Sequence, residues 1–222
     1  ASNNTAVGRD ALFSSTGNSN TALGYGAGYS NTSGLYNQYE GFQTGFYNVT
    51  GSSNTLIGYQ SGLSISTNSY SNNSAFGYNT LLSITNGGDN NIAIGYQAAN
   101  ALTSGANNIA IGYDVDLPSN TGSNQLTIGN LIFATGGFGT GTSIGAGKIG
   151  IKNNAPDSTL DITGSLRATT GINFSGLPNG GVAADSVMVV TSTGIVKKRD
   201  AATFTGSTVY ANNGLTRVVD TV

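Results

Sequence analysis

The sequence predicts an all-β protein, a parallel β-roll or β-solenoid of about eight coils. Three observations predict it: a short motif recurs at a nearly constant interval, turn-forming residues dominate the composition, and charge is scarce. Of the 222 residues, 34 are Gly and only 8% are charged, against about 25% in a typical domain. Gly, Asn, Ser and Thr favour turns, so we expect many short strands joined by tight turns.

The repeated motif carries a marker glycine. Typical copies are NTALGYGAG from Asn20, NTLIGYQSG from Asn54 and NIAIGYQAA from Asn91. The marker glycines, 16 to 19 residues apart, are Gly8, Gly24, Gly41, Gly58, Gly77, Gly95, Gly112 and Gly129. This interval is too short for a strand–helix–strand unit of roughly 30 residues. It accommodates a coil with two strands of about five residues and two turns; coils about 4.8 Å apart would form a rod about 34 Å long.

The residue before the marker glycine is apolar in seven of eight coils, and the residue before that is often Ala. Because successive strand side chains point to opposite faces, these positions form two rows. We expect the larger residues to be the core and the alanines to let a neighbour approach closely. The predicted core row is Val7, Leu23, Ile57, Phe76, Ile94, Ile111 and Ile128. The marker glycines are expected to take φ > 0, and the motif Asn to bond its own backbone or to stack as a ladder.

Tyrosines follow the marker glycine in five coils: Tyr25, Tyr59, Tyr78, Tyr96 and Tyr113. They could stack on sugar rings or pack against one another between coils. We expect packing, because aromatic pairs between adjacent strands are an ordinary unit of sheet stabilisation.

Self-association is expected, because one coil of this size buries little apolar surface. Three thin rolls can close around one axis, so we expect a homotrimer, intertwined or side by side.

Glu40, in NQYEGFQTG, is the charged exception in the predicted core row. A single buried carboxylate is costly, and three copies in a trimer would repel one another or demand a cation. The interpretation we prefer is a bulge or one-residue slip that turns Tyr39 inward and Glu40 outward. The alternative is an inward ring of Glu40 side chains.

Composition excludes several kinds of chemistry. The chain has neither His nor Cys, so a Ser-His-Asp or Cys-His centre is impossible within it. Arg9 is the only base before Lys148, so we expect no nucleic-acid binding by this part. No apolar run approaches 18 residues, and we expect no membrane insertion by this segment.

Candidate ligand sites are weak, and we expect no catalytic residue, cofactor or metal. GTSIGAGKIG lacks the first glycine and the Ser or Thr of a phosphate loop. Asp89, Asp114 and Asp116 could supply oxygens to calcium, but such carboxylates are sparse, so we expect turn roles. The run Lys197 to Arg199 is expected to be a solvated charged face.

Four segments are expected. Residues 1–130 form the roll, 131–147 a Gly-rich transition, 148–200 a β-rich connector with short alternating strands, and 201–222 the start of a further fibre segment. The first residue is Ala rather than Met, which suggests a piece of a longer protein.

The variants of NNIAIGYQA resemble the head repeats of YadA-type trimeric adhesins over about 130 residues. The resemblance implies an obligate homotrimer of left-handed parallel β-rolls, exposed outside a cell or on a virion. Copies with Gly-Tyr-Gln-Ala and an added Thr-Gly turn are more familiar from long fibre proteins of phages and bacterial surfaces. GKIGIKNNAPDSTLDITGSLRATTG and ADSVMVVTSTGIVKKRD also resemble fibre proteins that end in a self-cleaving intramolecular chaperone. No such chaperone domain is visible in this chain.

We therefore expect a non-enzymatic segment of a trimeric extracellular fibre, on a virion tail or a bacterial surface, acting as a rigid shaft and host-attachment module. Its partners would be itself and an unidentified cell-surface glycan or protein. One alternative is the head of a bacterial autotransporter-type adhesin. Another is a fibre-borne glycan depolymerase, which needs paired carboxylates; Asp157 and Asp161 are the nearest pair outside the roll. An ice-binding surface is the least favoured of these functions, because the row of Thr residues that it needs is interrupted by Ile92 and Ile109.

Overall fold

The computed structural model describes residues 2–137, 145–166, 186–190 and 196–200, the last two ranges by their backbone alone. Within these residues the chain is all-β and contains no helix. The chain divides into two units, Ala1–Arg167 and Ala168–Val222.

Eight strands of three residues stack in chain order in the first unit. They are β1 (Thr5–Val7), β2 (Thr21–Leu23), β3 (Gln38–Glu40), β4 (Thr55–Ile57), β5 (Ser74–Phe76), β6 (Ile92–Ile94), β7 (Ile109–Ile111) and β8 (Leu126–Ile128). Each strand pairs in parallel with the next, without a break in register. The predicted parallel β-solenoid is therefore confirmed, with about seven turns between β1 and β8. Its handedness stays a prediction.

The chain then reverses while remaining in the same sheet. β9 (Ile132–Thr135) pairs antiparallel with β8, β10 (Lys148–Ile151) antiparallel with β9, and β11 (Leu160–Ile162) parallel with β10. The sheet thus has 11 strands and extends into the segments expected as transition and connector. In the second unit, β12 (Ser186–Val190) pairs antiparallel with β13 (Val196–Asp200). The finer subdivision of the chain stays a prediction.

Each coil contains one short strand rather than the two longer strands that we expected. The opposite side is a turn segment whose residues alternate in backbone handedness, as at Gln60 (φ 52°) and Gly62 (φ 58°). Left-handed residues interrupt an extended strand. This segment still hydrogen-bonds between coils: the Gly45 N–H donates to the Ser61 carbonyl at 2.9 Å, and the Gly62 N–H to Thr80 at 2.8 Å.

The core is formed by the middle residues of β2 to β8 together with turn residues such as Leu81 and Leu102, not by the predicted core row. The fully buried middle residues are Ala22, Tyr39, Leu56, Ala75, Ala93, Ala110 and Thr127. The predicted core row lies on the outside of the single chain. Its exposed members are Val7, Leu23, Phe76, Ile94 and Ile128, and the partly exposed members are Ile57 and Ile111. That prediction was wrong, because the narrow coil has room for a small side chain opposite its own turn segment. The alanines do allow a close approach, as expected, but the segment that approaches them is the turn segment of the same chain.

In three coils of this narrow core, a large residue on one side faces a small residue on the other. A Cβ on Gly28 would lie 2.6 Å from Cδ2 of Tyr39, and a Cβ on Gly62 would lie 2.7 Å from a methyl carbon of Leu56. In the coil that carries Ala75, the equivalent turn residue is the fully buried Leu81. In these three coils the large residue therefore lies on one side only, Tyr39 or Leu56 on the strand and Leu81 on the turn segment.

The marker glycines all have positive φ, as predicted. The first seven have φ from 128° to 141°, and Gly129 has φ 57°. At Gly95, a Cβ would also lie only 2.8 Å from the carbonyl carbon of Gly112 in the next coil. Glycine is therefore required there by backbone conformation and by space together.

The motif Asn forms a ladder, the second of the two arrangements that we considered. The Asn54 Oδ1 accepts a hydrogen bond from the Asn73 N–H at 3.0 Å, and the Asn54 Nδ2 donates to the Tyr70 carbonyl at 2.9 Å. The ladder members are Asn4, Asn20, Asn37, Asn54, Asn73, Asn91, Asn108 and Gln125. In the last coil the ladder member is Gln125.

Candidate interaction surface

The first and third residues of β1 to β8 point away from the core and form what we call the outer face. Its first row is Thr5, Thr21, Gln38, Thr55, Ser74, Ile92, Ile109 and Leu126. Its third row is the predicted core row together with Glu40. The outer face is therefore aliphatic along nearly all of the third row, and along both rows from β6 onward.

The aliphatic third row continues past the solenoid. Ile128 pairs with Ile132, Ile132 with Ile151, and Ile151 with Ile162. Large parts of it are open to solvent in the single chain: Val7 is 56% exposed and Ile94 is 40% exposed. A contiguous apolar patch of this kind marks an interaction surface rather than an ordinary monomer surface.

Glu40 lies in the third row without any local distortion. It pairs in register with Leu23 on one side and Ile57 on the other, and its side chain is exposed. The orientation that we preferred, Tyr39 inward and Glu40 outward, is confirmed, but the proposed bulge or slip is wrong. No slip is needed because every third-row residue points outward, so Glu40 does not enter the coil.

Tyr39 anchors the inward side of β3. Its hydroxyl accepts hydrogen bonds from the side-chain amides of Asn48 at 3.0 Å and Asn31 at 3.4 Å. Burial raises the pKa of Tyr39 to about 12, although both amide hydrogen bonds act in the opposite direction. The fully buried Tyr70 donates its hydroxyl hydrogen to the Gly62 carbonyl. Burial, and secondarily Tyr39, raise the pKa of Tyr70 well above 10.

The tyrosines after the marker glycines form a continuous stack, so the packing interpretation is confirmed. Ring centroids are 5.0 to 5.2 Å apart, and the ring planes differ by 6° to 18°. This aromatic ladder consists of Tyr25, Phe42, Tyr59, Tyr78, Tyr96 and Tyr113. The four inner rings have a stacked neighbour on both faces. Those faces are therefore already occupied and cannot receive a sugar ring.

A second aromatic stack was not anticipated. Tyr29 stacks on Phe13 at 5.2 Å and on Phe46 at 4.7 Å. The sequence signal was present, because each of these residues lies five positions after a marker glycine. A second glycine row was also missed. Its members, each three residues before a ladder residue, are Gly17, Gly34, Gly51, Gly88, Gly105 and Gly122.

Several carboxylates considered above accept hydrogen bonds within the protein. Asp89 accepts a hydrogen bond from the Ser71 N–H at 2.6 Å, and Asp116 accepts one from the Ala101 N–H at 3.3 Å. Asp161 accepts hydrogen bonds from the Asn153 amide at 2.8 Å and the Asp157 N–H at 3.3 Å. The bonds of Asp89 and Asp116 connect neighbouring coils and are not bonds within a local turn, which is the role that we expected. In the part of the chain that the structure describes, no three His, Cys, Asp or Glu residues are grouped so as to hold a metal.

Two shallow pockets lie near the end of the solenoid. One, of about 330 Å³, is lined by Leu126, Ile132 and Ile149 on the continuation of the outer face. The other, of about 410 Å³, lies beside Asp116 and Phe133. Residues 138–144, which include part of GTSIGAGKIG, lie outside the described residues, as do the side chains of Lys197 to Arg199.

The geometry thus defines a repetitive β-solenoid with an exposed aliphatic face. No protein-family model, curated protein or solved structure with which the chain was compared matches it. Among the described residues, no helix has the length and apolar character needed to cross a bilayer.

Proposed function

We propose that this chain is a non-enzymatic segment of a trimeric extracellular fibre, which serves as a rigid shaft and a receptor-attachment module. The observation that carries the proposal is the apolar third row, which is interrupted only by Glu40 among the eight coils and continues into β11. An aliphatic row of this length requires a partner surface of equal length. A second and a third copy of the same chain supply one.

Rigidity follows from the bonds between coils. Strand pairing, the Asn ladder and the aromatic ladder connect each coil to the next at separate points of its circumference. Bending the solenoid would open several of these contacts at once. A chain built in this way suits a shaft that holds a binding region at a distance from its anchor.

Three copies form the assembly in this proposal. The outer face is only two side chains wide on each strand, and three such narrow faces can close around one axis. The resemblance to YadA-type head repeats supports this arrangement and a left-handed coil. The resemblance of the segment after Gly147 to fibre proteins favours a tail fibre over an autotransporter-type adhesin head.

The test of the assembly places charge on the outer face. We expect the double substitution Ile94→Asp and Ile111→Asp to reduce the mass in light scattering from a trimer to a monomer, since six carboxylates would be buried. The matched control is Ser104→Asp, an exposed turn residue outside the outer face, which should remain trimeric. A double variant with unchanged mass contradicts this use of the face.

Receptor attachment is tested with a glycan array and host-surface proteins. The trimer should bind more tightly than the monomeric variant by far more than the factor of three in site number, because linked weak contacts give avidity. Equal binding by both would contradict a multivalent role. Release of new reducing ends from a bound polysaccharide would contradict the non-enzymatic assignment.

A further inference from the structure

The third coil interrupts the outer face. Its two outward residues are Gln38 and Glu40, whereas the adjacent coils present Thr21 with Leu23 and Thr55 with Ile57. Within residues 2–137 and 145–166, the only ion pair joins Arg9 and Asp10. Glu40 therefore stands in an aliphatic row without a cationic partner.

This polar interruption cannot be turned away from the face. The middle residue of β3, Tyr39, is fully buried, and glycines 28 and 45 make room for its ring. The amides of Asn31 and Asn48 hold its hydroxyl. A strand whose central ring is held in this way keeps its first and third side chains outward.

A regular repeat also creates an ambiguity for self-association. Successive coils present nearly equivalent surfaces, so copies that slip past one another by one coil still bury most of their aliphatic residues. In coiled coils, a buried polar residue at one position removes the same kind of ambiguity by specifying register. Here the repeat alone does not distinguish the aligned assembly from one in which the copies are slipped by a coil.

We infer that Glu40, together with Gln38, sets the axial register between copies of this chain; the inference rests on the proposed trimer. In the aligned assembly, the polar pairs of all copies meet in one hydrated band, where water screens the repulsion between the Glu40 carboxylates and the Gln38 amides can donate to them. After a slip of one coil, each Glu40 faces Leu23 or Ile57 of a neighbouring copy. Carboxylates separated in this way are desolvated without a polar partner, which is strongly unfavourable.

The first row adds to this selection. It is polar up to Ser74 and aliphatic from Ile92 onward, so a slip also sets one polar side chain against an aliphatic one. A one-coil slip brings no base to Glu40, because neither the second nor the fourth coil contains Lys or Arg. Lys148 begins β10, seven strands beyond β3.

The test uses the absence of native cysteine. Two variants of the full chain, Thr55→Cys and Ser74→Cys, are co-expressed with different tags, and oxidative cross-links between the tags are measured. These positions lie level with each other after a one-coil slip, whereas in the aligned assembly they are offset by about 4.8 Å along the axis and pairs of identical positions are favoured. We expect few 55–74 cross-links in the native background, at least a tenfold increase with Glu40→Leu, and native behaviour with Glu40→Gln, which keeps the band polar.

The outcomes separate the two proposals. A Glu40→Leu trimer whose cross-links match those of the native background overturns the register inference while leaving the trimer intact. A native chain with the mass of a monomer overturns the trimer, and with it the register inference. Abundant 55–74 cross-links in the native background also overturn the assignment of Glu40.

Discussion

At the scale of single residues, stability depends on side chains that satisfy the backbone of the neighbouring coil. Asn54 is fully buried and bonds to Asn37, Tyr70 and Asn73 in both adjacent coils. Because Asn54 is fully buried, bulk solvent cannot replace such bonds. Each ladder amide therefore satisfies backbone groups that would otherwise be buried without a hydrogen-bond partner.

Removal of one ladder amide should be costly. Asn54→Ala leaves the Asn73 N–H and the Tyr70 carbonyl buried without partners, at about 1–3 kcal/mol each. We expect urea unfolding at constant protein concentration to show a loss of roughly 2–5 kcal/mol. Ser104→Ala, at an exposed turn, should change the free energy of unfolding by less than about 0.5 kcal/mol. An equal effect of the two substitutions would argue against the ladder.

Alkaline pH should destabilise the fold through Tyr39. Its pKa is about 12 in the folded chain and 10.0 in the unfolded reference. Between these values the unfolded chain has lost a proton that the folded chain retains. The stabilisation is therefore complete below pH 10 and is lost as the pH rises toward 12, by roughly 2–3 kcal/mol.

Urea titrations at a series of pH values measure this loss. Tyr39→Phe should show a shallower decline between pH 10 and 12, because the titrating hydroxyl is gone. Parallel pH profiles for the native chain and the variant would contradict the assignment to Tyr39.

The sequence identified Glu40 as an anomaly and indicated its outward direction, but it attributed that direction to a slip instead of to a row that faces outward throughout. The alternation of side-chain direction along a strand assigns the residues to two rows, but it does not show which row faces the core. That choice depends on the opposite turn segment, whose glycines 28, 45 and 62 leave room for Tyr39 and Leu56. The larger aliphatic row was mistaken for the core because side-chain size alone does not show which row faces the turn segment of the same coil.

At the scale of structural elements, the aromatic ladder stabilises the stacking of coils. Tyr78→Ala removes two stacked pairs, with Tyr59 and Tyr96. Such pairs contribute about 0.5–1.5 kcal/mol each, so we expect a loss of roughly 1–3 kcal/mol in chemical unfolding. Tyr78→Phe keeps the ring and should be nearly neutral. Equal losses for Ala and Phe would assign the effect to the hydroxyl instead.

The sequence predicted the elements unevenly. Period, marker glycines and parallel stacking follow from spacing and could be predicted. The second side of the coil could not, because residues such as Leu81 and Ala99 adopt left-handed φ of 50° and 51° there. Neither residue type favours that conformation. Hydrogen bonds to adjacent coils impose this conformation, and no local sequence pattern indicates those bonds.

At the scale of the whole molecule, the proposed trimeric assembly depends on the aliphatic outer face. Composition predicted self-association, because a narrow coil buries little. The reversal at β9 and the continuation of the row into β11 were not predicted, since the antiparallel pairing joins residues 132–135 and 148–151 across a long connection. This continuation makes the face longer than the repeat itself.

The mass of the native chain in solution tests the central claim most directly. Light scattering across a hundredfold range of concentration should give three times the chain mass of 22.4 kDa, without dissociation at the lowest concentration. A stable, folded species of 22.4 kDa, with its aliphatic row open to solvent, would contradict the account.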